Sequence, residues 1–195
     1  MGYKLAGFDV LVASDIDPEM ADIYERNHSP KEFYLCDIRD LLNEDNLPEV
    51  DILDGSPPCS VFSLTGNRDK DWGKKKKFRE GQAEQILDDL FFEFIKLADK
   101  VQPKIIVAEN VKGMLIGKAK GYTKLVVKEL EKIGYTVQVF LLNSATMGVP
   151  QARERVFFIA NRLDKKLKLE FNEKPINFEE LVDHTDKSEK LTPLY

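Results

Sequence analysis

Short apolar runs alternate with segments of helical periodicity along this chain. Each run is bounded by turn-forming or charged residues and predicts a buried strand; the runs lie at 9–13, 33–36, 50–53, 104–108, 135–142 and 156–160. Apolar spacings of three or four residues predict helices at 86–98 and 122–133, and Pro18 suits the first turn of a helix at 18–27. Strands that alternate with helices predict an α/β fold with a mostly parallel sheet. The last connection lacks helical periodicity, which predicts an antiparallel hairpin at one edge.

Composition narrows the class of protein. The 195 residues suffice for one domain, and 43% hydrophobic with 32% charged residues is ordinary for a soluble protein. The apolar runs are too short to span a membrane, and no basic segment with an apolar core marks a secretory signal. Cys36 and Cys59 lack the spacing of a zinc site or a disulfide framework. We therefore expect no bound metal and a reduced, cytoplasmic setting.

Charge is unevenly distributed along the chain. The net charge of −5 does not indicate a nucleic-acid binder. Residues 68–79, however, contain seven basic and two acidic residues, a local charge of +5 within a long polar loop at 60–80. A lysine run is most often a solvated surface. Its place soon after the candidate nucleophile described next favours a mobile lid that binds phosphates.

The stretch at 54–60, Asp-Gly-Ser-Pro-Pro-Cys-Ser, contains the most distinctive candidate chemistry. Pro57 and Pro58 remove backbone donors directly after a predicted strand, so the chain must turn sharply there. Open α/β sheets bind ligands at the carboxyl ends of their strands, where this turn places Cys59. A thiol on a stiff loop at that edge is a candidate nucleophile. The alternative is a small buried residue at a loop corner.

Other polar side chains flank the later strands. Glu109 and Asn110 follow the strand at 104–108, and Arg153 and Arg155 precede the strand at 156–160. Together with Cys59 they supply a thiol, a carboxyl group and guanidinium groups. These are the components for adding sulfur to an electron-poor ring while a proton is delivered elsewhere on it.

Acidic residues follow the first two strands. Asp15 is placed to accept hydrogen bonds from the two hydroxyls of a ribose. Asp37 could reach an adenine amino group from the end of the next strand. Helix capping is the alternative for both residues, and Asp17 fits an N-cap better than a ligand.

Three motifs, in this order, closely resemble those of the C5-cytosine methyltransferases. Residues 57–60, Pro-Pro-Cys-Ser, resemble the family's Pro-Cys nucleophile motif. Residues 109–111, Glu-Asn-Val, resemble its Glu-Asn-Val motif, and residues 151–155, Gln-Ala-Arg-Glu-Arg, resemble its Gln-x-Arg-x-Arg motif. Each motif alone is weak, whereas their order, spacing and placement beside strands are specific. The resemblance covers about residues 3–162. It implies a Rossmann-like S-adenosylmethionine-dependent methyltransferase sheet and methyl transfer to C5 of cytosine in double-stranded DNA.

The resemblance also implies roles for the motif residues. Cys59 would attack C6 of a cytosine flipped out of the duplex, while the basic loop at 68–79 closes over the DNA backbone. Glu109, kept protonated by apolar neighbours, would hydrogen-bond to N3. Arg153 and Arg155 would hold O2 and brace the cysteine loop.

The remaining implied roles concern the cysteine loop and the cofactor. Asn110 would orient the loop that carries Pro58. The cofactor would be S-adenosyl-L-methionine, held by the residues that match the family's cofactor contacts: Asp15, Ile16, Asp37, Ile38 and Pro57.

The resemblance is incomplete. The family's first motif, Phe-x-Gly-x-Gly, its target-recognition domain and its last two motifs are not found in the sequence. We expect a partial catalytic domain at 1–162 with the first strand missing, and a charged tail at 163–195 that leads toward an absent target-recognition region. Alone, such a chain should bind the cofactor poorly and select no DNA sequence.

Several explanations of this incompleteness stay open. A second polypeptide could supply the missing motifs, the chain could be a truncated product, or it could be a non-catalytic remnant that acts as a binding module. A tRNA cytosine-5 methyltransferase is the alternative enzyme, because the motif at 57–60 does not separate DNA from RNA substrates.

Overall fold

The computed structural model describes residues 2–58, 90–117 and 119–181. The elements in order are α1 (Gly2–Leu5), β1 (Val12–Asp15), α2 (Pro18–His28), β2 (Glu32–Leu35), α3 (Ile38–Leu41), β3 (Ile52–Gly55), α4 (Leu90–Val101), β4 (Ile105–Val111), α5 (Ala119–Lys132), β5 (Thr136–Asn143) and β6 (Glu154–Asn161). Short 3-10 turns occupy Lys112–Leu115, Ser144–Met147 and Phe178–Leu181.

The described strands form two sheets. Strands β1 and β2 pair in parallel, and a four-stranded sheet has the order β3-β4-β6-β5. In that sheet β3 and β4 are parallel, whereas β6 is antiparallel to both β4 and β5. The α/β class and the antiparallel hairpin are therefore as predicted. The described pairings are mixed rather than mostly parallel, because β6 inserts between β4 and β5 and runs against both.

Within the described ranges, three strands with a parallel neighbour lie at sheet edges. Strands β1 and β2 pair there only with each other, and β3 pairs only with β4. Unpaired edge groups would need another partner wherever they are shielded from water.

The core lies between the four-stranded sheet and two helices. Burial alternates along β4, so that Ile106, Ala108 and Asn110 face the core. The helices α4 and α5 cover this face with large apolar side chains, which supplies most of the hydrophobic stabilisation of the sheet. The principal buried residues are Phe91, Phe94, Ile95, Val126, Leu130, Val156 and Phe158.

Local capping explains where the helices near the first sheet begin. Asp17 is the N-cap of α2, where its side chain accepts hydrogen bonds from the backbone N–H groups of Glu19 and Met20, and Pro18 follows in the first turn. Asp37 caps α3 in the same way through the Arg39 N–H. In the described part of the chain no helix combines the length and apolar character needed to cross a bilayer.

Candidate active site

The proline loop is anchored to β4 by Asn110. Its side chain is 3% exposed, and its Nδ2 donates to the Pro57 carbonyl oxygen at 2.9 Å. Its Oδ1 accepts from the Val111 N–H, also at 2.9 Å. Because both ends of this buried amide are hydrogen-bonded, the loop has little conformational freedom at Pro57. The loop thus leaves β3 in a position fixed at Pro57, two residues before Cys59.

Gly55 brings β3 close to the helix beneath it. A Cβ atom at this position would lie 2.4 Å from Phe94 Cε2, so a larger residue would push β3 or α4 away. Glycine is therefore required for the approach that places the proline loop beside β4.

Glu109 and Arg155 face each other across the antiparallel pair of β4 and β6. Glu109 Oε1 lies 2.8 Å from Arg155 Nε, and the two side chains are 28% and 24% exposed. Val111 pairs with Arg155 in the strand register, which puts Glu109 diagonally opposite the arginine. The carboxyl group of Glu109 is thus half-buried and contacts a guanidinium, a neighbour that the sequence did not indicate. Glu109 and Asn110 also lie within β4 rather than beyond its end, since the ladder with β6 continues to Val111.

A second ion pair crosses the same strands and was not found from the sequence. Lys112 Nζ lies 2.6 Å from Glu154 Oε2, and both side chains are about 40% exposed. The register that pairs Val111 with Arg155 puts Lys112 opposite Glu154. Reading the two motifs as antiparallel neighbours would have revealed the pair. Neither Lys112 nor Glu154 is one of the residues that define the two motifs, so the motifs alone do not indicate this ion pair.

A cavity of about 410 Å³ opens beside these ion pairs. Three of its lining residues, Lys112, Arg153 and Arg155, are cationic, and one, Glu154, is anionic. A cavity of this size with a cationic lining suits a planar polar ring with hydrogen-bond acceptors or an attached phosphate. The full lining is Val111, Lys112, Gly113, Gln151, Ala152, Arg153, Glu154 and Arg155.

Arg153 is held through its backbone by the turn that follows β5. Ser144 N–H donates to the Arg153 carbonyl oxygen at 3.1 Å, and Arg153 N–H donates to Ser144 Oγ at 3.2 Å. Ser144 Oγ in turn donates to the Gln151 carbonyl oxygen. Gly148 has φ +76°, a conformation that glycine adopts without strain, and lets the chain reverse within this turn. Ser144 was not singled out by sequence reasoning.

The predicted nucleophile, Cys59, and the predicted basic loop at 68–79 lie outside the described residues. Pro57 and Pro58 are described and half-buried. The structure therefore brings together Pro57, Asn110, Glu109 and Arg155 in one contiguous region, with Arg153 beside them at the cavity.

The residues predicted to bind the cofactor lie at the ends of β1 and β2. The Cys36 N–H donates to the Asp15 carbonyl oxygen at 3.1 Å, so the two parallel strands end side by side. The Asp15 carboxylate is exposed and accepts from the Asp17 N–H at 2.9 Å. The Asp37 carboxylate accepts a hydrogen bond from the Arg39 backbone N–H, and its Oδ2 lies 3.0 Å from Arg39 Nη1.

Ile16 and Ile38 flank these carboxylates. Ile16 is 44% exposed just beyond β1, and Ile38 is half-buried against the core at the start of α3. The end of β1 thus offers an exposed carboxylate beside an exposed apolar side chain. That pairing suits a ribose joined to a flat ring.

Three further titratable groups have shifted pKa values near the strands that carry the site residues. The Tyr3 hydroxyl donates to Asp54 Oδ1 at 3.1 Å, joining α1 to β3. Burial raises the pKa of Asp54, and the hydrogen bond from Tyr3 partly opposes that shift. Burial also raises the pKa of Tyr3, with the negative charge of Asp54 adding to it. Burial is likewise the main cause that raises the pKa of the Cys36 thiol, which makes Cys36 a poor nucleophile.

The comparisons with known proteins agree on one family. The model of the C-5 cytosine-specific DNA methylase family matches residues 1–192. The chain is 37% identical over 164 residues to the Type II methyltransferase M.FnuDI of Fusobacterium nucleatum, covering 84% of this chain and 44% of that protein. It is 32% identical over 175 residues to the Type II methyltransferase M.NgoPII of Neisseria gonorrhoeae, covering 88% and 47%. The chain thus spans about half the length of these relatives.

Solved structures share the fold. One is a prophage-encoded Escherichia coli protein assigned as a DNA modification methyltransferase, with a TM-score of 0.68 and 24% identity over 90% of this chain and 48% of that one. Another is a mutant of Spodoptera frugiperda DNMT2, with a TM-score of 0.61 and 23% identity over 93% of this chain and 55% of that one. These similarities confirm the predicted Rossmann-like methyltransferase fold.

Proposed function

Because the chain belongs to the C-5 cytosine-specific DNA methylase family, we propose that it forms the catalytic part of a DNA (cytosine-5-)-methyltransferase. The observation that carries the proposal is the junction of its motifs: Asn110 holds Pro57, while its neighbour Glu109 contacts Arg155. Three segments distant in sequence meet there. A fold alone has no need for this set, whereas attack on a pyrimidine ring uses each member.

Cys59 is proposed as the nucleophile. It follows Pro58 directly, so the bond between Asn110 and Pro57 limits where its sulfur can lie. A new bond from sulfur to C6 of a flipped cytosine would break the ring's conjugation and make C5 nucleophilic. After C5 has gained the methyl group, loss of its proton and cleavage of the bond between sulfur and C6 would restore the aromatic ring.

Glu109 and the arginines are proposed to steady the ring during these steps. Glu109, once protonated, would donate to N3 and neutralise charge that develops on the base. Arg155 is already oriented by Glu109 and would turn its remaining N–H groups toward O2. Arg153 lines the same cavity and would share that contact.

The proposed cofactor is S-adenosyl-L-methionine, which supplies the methyl group. The exposed carboxylate of Asp15 and the exposed side chain of Ile16 fit its adenosine part. Asp37 would have to serve the adenine while also capping α3. Ile38 would pack beside the ring, and Pro57 would border the methionine part.

We also propose that the working enzyme needs further polypeptide. The support is the division of the described strands into two sheets with open parallel edges, together with the half-length match to relatives. A second polypeptide that supplies a strand and the target-recognition region would complete the unit. In this proposal residues 1–162 are the catalytic domain, residues 163–195 lead toward that region, and the assembly acts on double-stranded DNA in the cytoplasm.

Covalent trapping tests the function. We would fuse this chain to the parts of M.FnuDI that lie outside the aligned region and incubate the fusion with S-adenosyl-L-methionine. The substrate is plasmid DNA in which 5-fluorocytosine replaces cytosine, so that many recognition sequences are present. Fluorine at C5 blocks the final elimination, so we expect a stable protein–DNA adduct with Cys59, identified by peptide mass spectrometry.

Two variants serve as controls. Cys59→Ser should form no adduct, whereas Cys36→Ser should form as much as the unaltered fusion. An adduct on another residue, or none where M.FnuDI itself is trapped, would refute the proposal. Methyl uptake by tRNA, and none by duplex DNA, would instead establish the RNA enzyme.

A further inference from the structure

Ser144 directs its polar groups to one segment of the active site. Its backbone N–H donates to the Arg153 carbonyl oxygen at 3.1 Å, and its own carbonyl oxygen accepts from the Val149 N–H at 3.2 Å. Its hydroxyl donates to the Gln151 carbonyl oxygen and accepts from the Arg153 N–H at 3.2 Å. One short side chain thus joins both ends of the Gln-x-Arg sequence to the end of β5.

We propose that Ser144 is a positioning residue for Arg153, an inference that rests on the proposed function of that arginine. The side chain of Arg153 lines the cavity and forms no ion pair with a carboxylate among the described residues, unlike that of Arg155. Its direction therefore depends on its backbone. Ser144 fixes that backbone from both sides, since it bonds the N–H and the C=O of the same residue.

The far end of the segment is fastened separately. Lys112 and Glu154 form an ion pair of 2.6 Å between β4 and the residue that follows Arg153. Arg155 lies in the ladder of β6 and pairs with both β4 and β5. Loss of the Ser144 hydroxyl should therefore release Arg153 and leave Arg155 in place. The two arginines provide an internal comparison.

Thr146 offers a matched control in the same turn. Its hydroxyl donates to the Asn143 carbonyl oxygen at 2.9 Å, and the structure gives it no bond to Gln151 or Arg153. Thr146→Ala deletes a hydroxyl from this turn just as Ser144→Ala does. Any effect specific to the Gln-x-Arg segment should appear only in the Ser144 variant. Ser144→Thr keeps a hydroxyl and should restore the behaviour of the unaltered chain.

Amide hydrogen exchange of the full chain, resolved by NMR, is the first measurement. Because the Arg153 N–H also lies 3.1 Å from the Gln151 carbonyl oxygen, we expect partial release, with exchange about fivefold to tenfold faster in Ser144→Ala. Exchange at Arg155 should be unchanged in that variant. Equal exchange at Arg153 in Ser144→Ala and in the unaltered chain, or equal acceleration in Thr146→Ala, would overturn the inference.

Catalysis by the M.FnuDI fusion is the second measurement. We expect Ser144→Ala to lower kcat about tenfold while KM for S-adenosyl-L-methionine stays unchanged, and Ser144→Thr to recover most of the loss. A general loss of folding would instead change both constants. If the unaltered fusion transfers no methyl group, the proposed function fails, and the exchange at Arg153 still decides whether Ser144 positions that residue.

Discussion

Within the described residues, the two sheets differ in how completely helices cover them. The four-stranded sheet packs under α4 and α5, and Phe158, Leu130 and Val126 are each fully buried there. In α2, the helix that packs against β1 and β2, the buried residue is Ala21, at 3% exposure. Leu5 and Leu35, by contrast, are 81% and 55% exposed. Hydrophobic burial, the main stabilising contribution to folding, is therefore concentrated in one half.

This difference separates two parts of the proposed reaction. Glu109, Asn110 and Arg155 belong to the well-covered sheet, where packing fixes the positions of their strands. Asp15 and Ile16 belong to the sparsely covered one, beside the open edge of β1. In the proposed reaction, the residues that contact the base therefore lie in the well-covered sheet, and those that contact the cofactor lie in the sparsely covered one.

Two leucine substitutions would test the difference most strongly. Leu130→Ala removes a fully buried side chain from the core and should destabilise the chain by about 2–5 kcal/mol, the usual cost of the cavity it leaves. Leu35→Ala removes the same atoms from a side chain that is 55% exposed and should cost less than about 1 kcal/mol. Urea denaturation followed by circular dichroism measures both. Similar losses in the two variants would mean that the first sheet is packed as tightly as the second.

Apolar periodicity and turn signals predicted the elements of both halves but not the ends of their strands, since β3 was predicted at 50–53 and observed at Ile52–Gly55. The predicted helix at 122–133 is observed as α5, Ala119–Lys132, and the hairpin of β5 and β6 lies where the sequence placed it. Strand β1 was predicted at 9–13 but begins at Val12. Its run of apolar residues has the composition of a buried strand. The apolar pattern alone did not define where the strand begins.

The contacts between motifs could not have been derived from any one of them. That Asn110 bonds to Pro57 follows from the parallel pairing of β3 with β4, and the Glu109–Arg155 pair follows from the antiparallel register of β6. Sequence spacing identified the residue types but gave no register. The guanidinium beside Glu109 was not expected for that reason, since it comes from a strand 46 residues away.

Asn110 provides a smaller and more local test of the well-covered half. Asn110→Ala leaves the Pro57 carbonyl oxygen and the Val111 N–H without their partner and should cost about 1–3 kcal/mol. Asn161→Ala is the matched control, because Asn161 is also 3% exposed and bonds to Leu163 and Lys165. Urea denaturation should give similar losses of stability for the two variants.

Only the Asn110 variant should affect the cysteine loop. Residues 68–79 contain trypsin sites, the first of them 11 residues after Pro57. We expect Asn110→Ala to increase cleavage there several-fold under native conditions. Asn161→Ala should leave that rate unchanged. Equal cleavage in both variants would show that the bond to Pro57 does not restrain the loop.

Asp54 is expected to give the smallest effect, at the contact that joins the two halves. Tyr3 of α1 donates to Asp54 of β3, and Asn in place of Asp can still accept that hydrogen bond. Because burial raises the pKa of Asp54, the folded state favours the protonated carboxyl group more than the unfolded state does. Its contribution to stability is therefore present below the ordinary carboxyl pKa of 3.8 and is lost as the pH rises through the raised value.

Asp54→Asn should remove this loss because the amide does not ionise. We expect the variant to match the unaltered chain at low pH and to melt about 1–2 °C higher at pH 7, a small shift because Asp54 retains exposed surface. Tyr3→Phe should act oppositely: the hydrogen bond from Tyr3 lowers the pKa of Asp54, so its loss should steepen the decline of Tm above pH 4. Parallel Tm curves between pH 3 and pH 8 for all three proteins would show that α1 and β3 are not coupled through this carboxyl group. In that case β3 would be independent of the first sheet at this contact as well as in its strand pairing.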